Sequence, residues 1–286
     1  MKRLYGGDIS HGQENVPVYI QTDANDVLPN FQYSLENVQG PGCDVDPSEL
    51  TLPGCSCRVL SCDPSVCPCL HFGSAYTNEG HLIEEQDGVG ACYSRPVFEC
   101  NALCTCGESC QSRVVQNGLR FRLGIFHTEN RGWGVETLEA LKRGSFVCEY
   151  AGEVIDFQEA RRRQMCQAPQ DRNYIIAVQE RWGSERFGFT FVDPAVVGNV
   201  GRFLNHSCQP NLVMVPVRVH SSIPRLALFT RRDVEPGEEL TFDYSGGHKT
   251  QQHEAKGAED LKRKVCLCGT PNCTGFLPLD LSILHG

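Results

Sequence analysis

The sequence predicts a mainly β fold flanked by two cysteine-rich metal modules. Short runs rich in β-branched and aromatic residues, bounded by Gly, Pro or Asp, recur between residues 119 and 229, as is typical of strands. The chain has 286 residues and 17 cysteines. Most of these cysteines stand in two closely spaced groups, one on each side of the strand-rich region, and such spacing favours zinc ligands.

Six runs are the predicted strands, and one helix accompanies them. The helix is predicted from Phe157 to Cys166, because Asp156 offers an N-cap and Glu159 follows three residues later. Its three arginines at 161–163 are interpreted as a solvated helix face. The predicted strands are 119–126, 145–150, 173–178, 187–192, 212–219 and 225–229.

The first cysteine group contains nine thiols at short, regular spacing. They form C-x-C-x4-C-x4-C-x-C followed by C-x3-C-x-C-x3-C. A zinc ion takes four ligands, so nine thiolates serve three ions if three thiolates bridge. Two independent fingers, or one finger with spare thiols, are the alternatives. The nine are Cys55, Cys57, Cys62, Cys67, Cys69, Cys100, Cys104, Cys106 and Cys110.

The second group, Cys266, Cys268 and Cys273, reads C-x-C-x4-C. Three thiols leave a zinc ion one ligand short, and Cys208 is the candidate for the fourth. We expect the remaining cysteines to be small core residues or idle thiols: Cys43, Cys92, Cys148 and Cys166.

Charge and composition limit the classes of partner. The formal net charge is −9, and thirteen thiolates around four zinc ions would add about −5. This favours a basic peptide over DNA as the partner.

No apolar run is long enough for a transmembrane helix, so no membrane association is expected. Residues 1–15 lack a secretory signal, which favours metal-bound thiols over disulfides.

The composition changes along the chain predict six segments. Residues in the first cysteine region show little apolar periodicity, so metal must replace a hydrophobic core there. The first segment is polar and is interpreted as an extended arm that packs on something else. The segments are an arm (1–52), a cysteine module (53–116), a β-rich unit (117–245), a flexible linker (246–261), a second cysteine module (262–278) and a tail (279–286).

Four short motifs stand in order within the β-rich unit. They are R-G-W-G at 131–134, E-Y-A-G-E at 149–153, R-F-L-N-H-S-C at 202–208 and F-D-Y at 242–244. Each is weak alone, since R-G-W-G also suits a tight turn with a core Trp, and F-D-Y a strand end. Their order, between two cysteine groups, is far more specific.

In this combination the sequence resembles SET-domain protein-lysine methyltransferases with pre-SET and post-SET zinc modules. The resemblance covers about residues 30–278 and implies small curved sheets with a C-terminal pseudoknot, in which 242–244 threads under a loop near 205–208. That subgroup chiefly methylates histone H3. One member continues into a transposase in some species; this chain ends soon after Leu277, so we expect no transposase activity.

The resemblance also implies four zinc sites. The pre-SET module would hold three ions, and the post-SET module would hold one. The implied ligand sets are Cys55, Cys57, Cys62 and Cys67; Cys55, Cys69, Cys100 and Cys104; Cys62, Cys100, Cys106 and Cys110; and Cys208, Cys266, Cys268 and Cys273.

Roles in cofactor binding and catalysis follow from the same resemblance. Tyr244 would orient the amine and the methyl group, with Tyr150 and Tyr174 as the other channel residues. Phe242 would leave more room than a Tyr, which implies products beyond monomethyl-lysine. The linker at 245–264 is hypothesised to let the post-SET module close. S-adenosylmethionine would contact Arg131, Gly132, Trp133, Tyr174, Arg202, Asn205 and His206, with Phe276 and Leu277 covering its adenine.

The sequence therefore predicts an S-adenosylmethionine-dependent methyltransferase of histone H3, acting at lysine nine or lysine thirty-six. Its partner would be the H3 tail or the nucleosome, and its location nuclear and chromatin-associated. The alternatives are a methyltransferase of a non-histone protein and a catalytically weak module that binds histone tails. A zinc-dependent nucleic-acid binder is disfavoured, because C2H2 and paired C-x2-C spacings are missing.

Overall fold

The structure, a computed structural model, describes residues 3–22, 27–83, 96–168, 172–182, 186–245 and 264–278. It is mainly β, as predicted. One α-helix, α1 (Phe157–Cys166), is present in these ranges. The strands are β1 (Tyr5–Asp8), β2 (Val18–Gln21), β3 (Gln32–Tyr33), β4 (Val38–Gln39), β5 (Val97–Phe98), β6 (Leu123–His127), β7 (Trp133–Thr137), β8 (Phe146–Glu149), β9 (Gly152–Ile155), β10 (Ile176–Trp182), β11 (Arg186–Gly198), β12 (Asn205–His206), β13 (Leu212–Arg218), β14 (Arg225–Thr230) and β15 (Glu239–Phe242).

The strands form three small sheets in the described part of the chain. Their orders are β1-β2-β6-β7-β15-β12, β10-β11-β9-β4 with β3 beside β11, and β5-β13-β14-β8. In the first sheet β12 and β15 run parallel, with Asn205 opposite Thr241 and His206 opposite Phe242. This pairing joins two of the sequence motifs and brings 242–244 next to 205–208; the threading of one segment under the other stays a prediction.

All six predicted strands exist, but several bounds were wrong. Residues 119–122 precede β6, which begins at Leu123. The hairpin of β10 and β11 extends beyond both predicted runs, because seven residue pairs from Ile176–Val192 to Trp182–Arg186 form a continuous ladder. Four strands of the β-rich unit, β7, β9, β12 and β15, were not predicted. The first of them begins within R-G-W-G, which resembles a turn.

The N-terminal arm packs on the β-rich unit, as extended chain. Strand β2 runs parallel to β6, with Val18 opposite Leu123, and Val18 is completely buried. Strands β3 and β4 pair with β11 and β9 in the second sheet. The arm therefore supplies strands to two sheets of the unit that carries the motifs.

Helix α1 begins as predicted, but its arginines are not all solvated. The Asp156 carboxylate accepts a hydrogen bond from the Glu159 N–H at 2.7 Å. Arg162 is mostly exposed. Arg163, in contrast, donates to Glu153 at 2.7 Å and to Asp193 at 2.9 Å. The Arg163 side chain thus ties the helix to β9 and β11, since both acids belong to those strands.

The first cysteine region has a core made of thiols. Its buried cluster contains six cysteines, and Leu70 is the one other residue in it among those the structure describes. Elsewhere Cys148 is buried in the main hydrophobic core, Cys43 is half-buried and Cys166 is exposed. Cys92, the linker at 246–261 with its expected closure, and the tail at 279–286 lie outside the described residues.

Within the described ranges, no helix combines the length and the apolar character needed to cross a lipid bilayer.

Glu149, at the end of β8, is a buried carboxylate with incomplete pairing. Its Oε2 lies 3.6 Å from Arg225 Nη1, while Oε1 has no hydrogen-bond partner among the described residues. Burial raises the pKa of Glu149 to about 7, although Arg225 acts in the opposite direction. The nearby charges of Glu36 and Glu14 raise this pKa further.

We expect Glu149→Gln to stabilise the protein at alkaline pH. The folded-state pKa lies above the unfolded value, so ionisation of Glu149 costs stability as pH rises from about 4.5 to 7. Relative to the wild type, the variant should gain about 1–3 kcal/mol at pH 8 and little at pH 4.5. Urea unfolding at both values measures the difference.

Glu139→Gln is the matched control, since the Glu139 carboxylate pairs with Arg122 at the surface. This variant should gain no stability at either pH. An equal response of the two variants would contradict the assignment to Glu149.

Candidate active site

Three aromatic residues from two of the motifs form one cluster, in which Tyr150 and Phe242 are buried and Tyr244 is partly buried. Tyr150 directly follows β8, Phe242 ends β15, and Tyr244 lies two residues further on. The Phe242 ring centroid is 5.8 Å from that of Tyr150 and 4.8 Å from that of Tyr244. The Tyr150 hydroxyl donates to the Tyr174 carbonyl at 2.5 Å, and the Tyr244 hydroxyl to the Leu204 carbonyl at 2.8 Å.

Both phenols stay protonated at neutral pH. Burial raises the pKa of Tyr150 and of Tyr244 above the ordinary value for tyrosine. Neither group is therefore a general base for a reaction near pH 7. Their hydroxyl oxygens can still accept hydrogen bonds, since each hydroxyl uses its proton on a backbone carbonyl.

His206 connects this aromatic cluster to a cysteine site. Its ring lies 5.3 Å from the Tyr244 ring, and its Nδ1 accepts from the Tyr244 N–H at 3.3 Å. On the other side, Nε2 lies 3.5 Å from Cys208 Sγ. Burial lowers the pKa of His206, and a neutral ring fits the acceptor role of Nδ1.

A group of polar side chains lies where β7, β12 and β15 meet. Asn205 Nδ2 donates to the Trp133 carbonyl at 3.1 Å and to Glu239 Oε1 at 3.0 Å. Arg131 Nη2 donates to Glu239 Oε2 at 2.6 Å. The predicted residues Arg131, Trp133 and Asn205 thus meet, but Glu239 was missed. It stands outside the four motifs, and nothing in the sequence marked it.

The backbone conformation at position 132 favours glycine. Its φ is +69°, which favours glycine, and a Cβ there would overlap the guanidinium of Arg172. Arg172 was also missed by the sequence analysis. The R-G-W-G turn therefore brings a bare backbone against a cationic side chain.

Arg202 is buried behind the site. Its Nε donates to the Pro194 carbonyl at 2.9 Å, and its guanidinium carbon lies 4.3 Å from the Phe31 ring centroid and 4.8 Å from that of Tyr174. Burial lowers the pKa of Arg202. The Phe31 contact shows that the N-terminal arm forms one wall around this arginine.

Two buried donors at the site have no partner among the described residues. They are Arg131 Nε and Arg202 Nη1. Buried N–H groups are normally hydrogen-bonded, so these two fit a ligand that brings acceptor groups. A carboxylate such as that of S-adenosylmethionine is of this kind. These residues therefore fit the predicted cofactor.

The first cysteine group forms three four-thiol sets, each with its sulfur atoms within 4.8 Å of one another. Individual separations are 3.8 Å for Cys55–Cys62 and 3.7 Å for Cys62–Cys100 and Cys69–Cys104. Sulfurs at about 2.3 Å from a tetrahedral zinc would be about 3.8 Å apart. The sets are Cys55, Cys69, Cys100 and Cys104; Cys55, Cys62, Cys67 and Cys100; and Cys62, Cys100, Cys106 and Cys110.

Two of these sets match the expected ligand sets, and one differs. Cys100 takes the place expected for Cys57 beside Cys55, Cys62 and Cys67. The Cys57 thiol nevertheless interacts with that of Cys67, at the edge of the cluster. Its role as a ligand stays a prediction.

The fourth set joins Cys208 to Cys266, Cys268 and Cys273, as predicted. Cys208 Sγ lies 3.9 Å from Cys266 Sγ. Phe276 follows within the same segment and is about half exposed, and the Leu277 N–H donates to the Lys264 carbonyl at 2.9 Å. Contact of these two residues with an adenine stays a prediction.

The electrostatics of the thiol core also fit a bound cation. Although burial opposes ionisation, hydrogen bonds lower the pKa of Cys55 to about 6 and that of Cys110 to about 7. Burial raises the pKa of Cys106 to about 12. Full ionisation of so many adjacent thiols therefore needs metal cations, which neutralise thiolate charge.

Comparison with known proteins places this geometry in a family. The SET domain family model matches residues 132–245, and the Pre-SET motif matches 10–113. Mouse histone-lysine N-methyltransferase SETMAR is 49% identical over 281 residues, which cover 96% of this chain and 90% of that protein. The chain belongs to the SET-domain histone-lysine N-methyltransferases.

Solved structures of this family agree with the fold. The methyltransferase domain of human SETMAR superposes with a TM-score of 0.83 at 44% identity, covering 96% of this chain and 98% of that one. Arabidopsis thaliana SUVH6, in complex with SAM, gives 0.73 at 30% identity, with 95% and 55% covered. KRYPTONITE, in complex with DNA, an H3(1-15) peptide and SAH, gives 0.71 at 30% identity, with 95% and 53% covered.

Cys100 is the most informative cysteine to replace, because it belongs to all three sets of four thiols in the first cysteine group. We expect Cys100→Ser to lower the metal bound per chain and the melting temperature. Cys166→Ser, at an exposed thiol outside the sets, should change neither. Elemental analysis of the purified proteins and thermal unfolding measure both. Equal metal content in the two variants would refute a metal role for Cys100.

Proposed function

We propose that the protein uses S-adenosylmethionine to methylate histone H3, at lysine nine or lysine thirty-six, and adds more than one methyl group. The observation that carries this proposal is the aromatic cluster of Tyr150, Phe242 and Tyr244. It lies beside the polar group that contains Arg131 and Asn205, and Arg131 Nε in that group is an unpartnered buried donor among the described residues. An aromatic channel and a polar cofactor site therefore share one border.

The aromatic channel suits the demands of amine methylation. The cofactor supplies a methyl group on a positively charged sulfur. The nucleophile must be the neutral amine, and a lysine with a pKa near 10.4 is neutral in about one molecule of 2,500 at pH 7. The apolar rings disfavour the ammonium form, which helps the lysine reach the site as a neutral amine.

The tyrosines orient the amine and take up no proton from it. Their raised pKa values keep both phenols neutral, and their protons are engaged by the carbonyls of Tyr174 and Leu204. The free lone pairs of Tyr244 can accept an N–H of the amine. Water removes the proton before the amine enters, so alignment and exclusion of bulk water are the contributions of the protein.

The substrate class has two further supports. The SUVH6 structure contains SAM, and the KRYPTONITE structure contains an H3 peptide and SAH. Each of these two proteins aligns with 95% of the present chain. The formal charge of −9 favours a basic peptide. We accordingly propose the H3 tail within the nucleosome as partner, and a nuclear, chromatin-associated location.

Four zinc ions complete the proposal, three in the first cysteine group and one in the second. The thiol separations of 3.7–3.9 Å support zinc, because they match the edge of a sulfur tetrahedron around this ion. The segment bounds given above, with pre-SET, SET and post-SET modules at 53–116, 117–245 and 262–278, are part of the same proposal.

Mass spectrometry of histone H3 and nucleosomes tests the activity directly. We expect methylated lysine with wild-type protein, and a rate about 100-fold lower with Tyr244→Phe, because the amine loses its alignment. Tyr76→Phe is the control, since Tyr76 is a buried tyrosine that donates to Glu99 away from the site. Its rate should stay within about twofold of the wild type.

Absence of any product with wild-type protein that binds the cofactor would overturn histone H3 as substrate. Methylation of another protein by the same sample would then favour the non-histone alternative.

Phe242 offers a separate test of product number. It is almost fully buried, lies between two tyrosine rings and carries no hydroxyl. We expect Phe242→Tyr to shift the products toward monomethyl-lysine, since the added hydroxyl occupies space beside the amine. The ratio of mono-, di- and trimethylated peptide at matched turnover measures this shift. An unchanged ratio would contradict it.

A further inference from the structure

Strand pairing and a neighbouring glycine determine where the Glu239 side chain lies. It begins β15 and lies opposite Glu136 in the antiparallel pairing with β7. Its side chain passes Gly134, where a Cβ would come within 2.9 Å of Glu239 Oε1 and 3.1 Å of Asn205 Nδ2. The second glycine of R-G-W-G therefore leaves the space through which this carboxylate reaches the cofactor site.

The two oxygens of Glu239 serve two different residues. Oε2 accepts from Arg131 Nη2 at 2.6 Å, and Oε1 accepts from Asn205 Nδ2 at 3.0 Å. Arg131 precedes β7, and Asn205 begins β12, so one carboxylate joins the two sides of the site. Both partners were predicted to contact the cofactor.

The backbone of β15 holds Glu239 in place. The Asn211 side chain donates to the Glu239 carbonyl at 2.8 Å and accepts from the Thr241 N–H at 2.8 Å. Because Asn211 holds the two peptide groups that follow Glu239, the backbone from which the carboxylate extends is fixed. Glu239 can therefore position Arg131 and Asn205 before any ligand arrives.

The Glu239 carboxylate is a negative charge in a site that is rich in arginine. Three arginines contribute positive charge here: Arg131 belongs to the R-G-W-G turn, Arg172 lies against Gly132, and Arg202 interacts electrostatically with Arg172. Arg131 and Arg172 lower the pKa of Tyr244, whereas Glu239 raises it, so the charge of Glu239 acts at the tyrosine hydroxyl. Two further acids act nearby: Asp243 lies 3.8 Å from His206 Nδ1, and Asp193 interacts electrostatically with Arg202 and Tyr150.

We propose that Glu239 is the positioning residue and the counter-ion of the cofactor site. It orients Arg131 and Asn205, and it offsets the arginine charge so that a ligand with a positively charged sulfur is accepted. This inference rests on the proposed use of S-adenosylmethionine. It adds a residue and an electrostatic role to that function.

The counter-ion role has a signature that a purely structural role lacks. S-Adenosylmethionine carries a sulfonium charge, whereas its product S-adenosylhomocysteine has a neutral thioether at the same position. Loss of the Glu239 charge should therefore weaken binding of the charged ligand more than that of the neutral one. Loss of site geometry alone would weaken both ligands equally.

The test is isothermal titration of the full chain with each ligand, for wild type, Glu239→Gln and Glu238→Gln. Glu238 is the matched neighbour, because it pairs with Arg232 at the surface and also bonds Asn211. For Glu239→Gln we expect Kd to rise about tenfold for S-adenosylmethionine and about threefold for S-adenosylhomocysteine. Glu238→Gln should bind both ligands as the wild type does.

Thermal unfolding without ligand completes the experiment, and the melting temperature of Glu239→Gln should stay near the wild-type value. If that variant does not fold, Glu239→Asp replaces it. Aspartate keeps the charge but is shorter, so it should weaken both ligands while preserving the ratio of their Kd values.

Three results would overturn the proposal. Wild-type affinity for both ligands in Glu239→Gln would show that Glu239 has no role in cofactor binding. Equal weakening of both ligands would refute its role as a counter-ion. A wild-type protein that binds neither ligand would instead refute the use of this cofactor altogether, and with it any role of Glu239 toward it.

Discussion

The active site depends on the parallel pairing of β12 with β15. This pairing brings Asn205 opposite Thr241 and His206 opposite Phe242, although the two strands are far apart along the chain. It also fixes the position of Tyr244. The Tyr244 N–H donates to His206 Nδ1, and the Tyr244 hydroxyl donates to the Leu204 carbonyl. The polar group takes Asn205 from β12 and Glu239 from β15, and Tyr244 of the aromatic cluster bonds the β12 residue His206. Both groups of residues therefore depend on this pairing.

A different constraint governs the first cysteine region. Its buried cluster contains thiols where a domain of this size normally has aliphatic side chains. Thiols pack well when neutral, but they bind metal as thiolates, and adjacent thiolates repel one another. Folding and metal binding are therefore linked in this region. The fold of the β-rich unit does not share this dependence, because its strands bury aliphatic and aromatic residues.

Much of the architecture followed from local patterns, and the exceptions have physical causes. The helix at Asp156 and the strands near Leu212 and Arg225 were found because caps and β-branched runs are local signals. The arm partners and Glu239 depend on pairing between distant segments, which no local pattern encodes. Arg163 was misjudged for the same reason, since its acids Glu153 and Asp193 come from other elements.

The insertion of β2 beside β6 has a consequence for how this protein can be divided. Without the arm, β6 would become an edge strand whose free N–H and C=O groups invite pairing with other chains. Arg202 would also lose the ring of Phe31 that covers it. We therefore expect the autonomous folding unit to include strands β2 to β4, and a chain that lacks them to aggregate before its chemistry could be assayed.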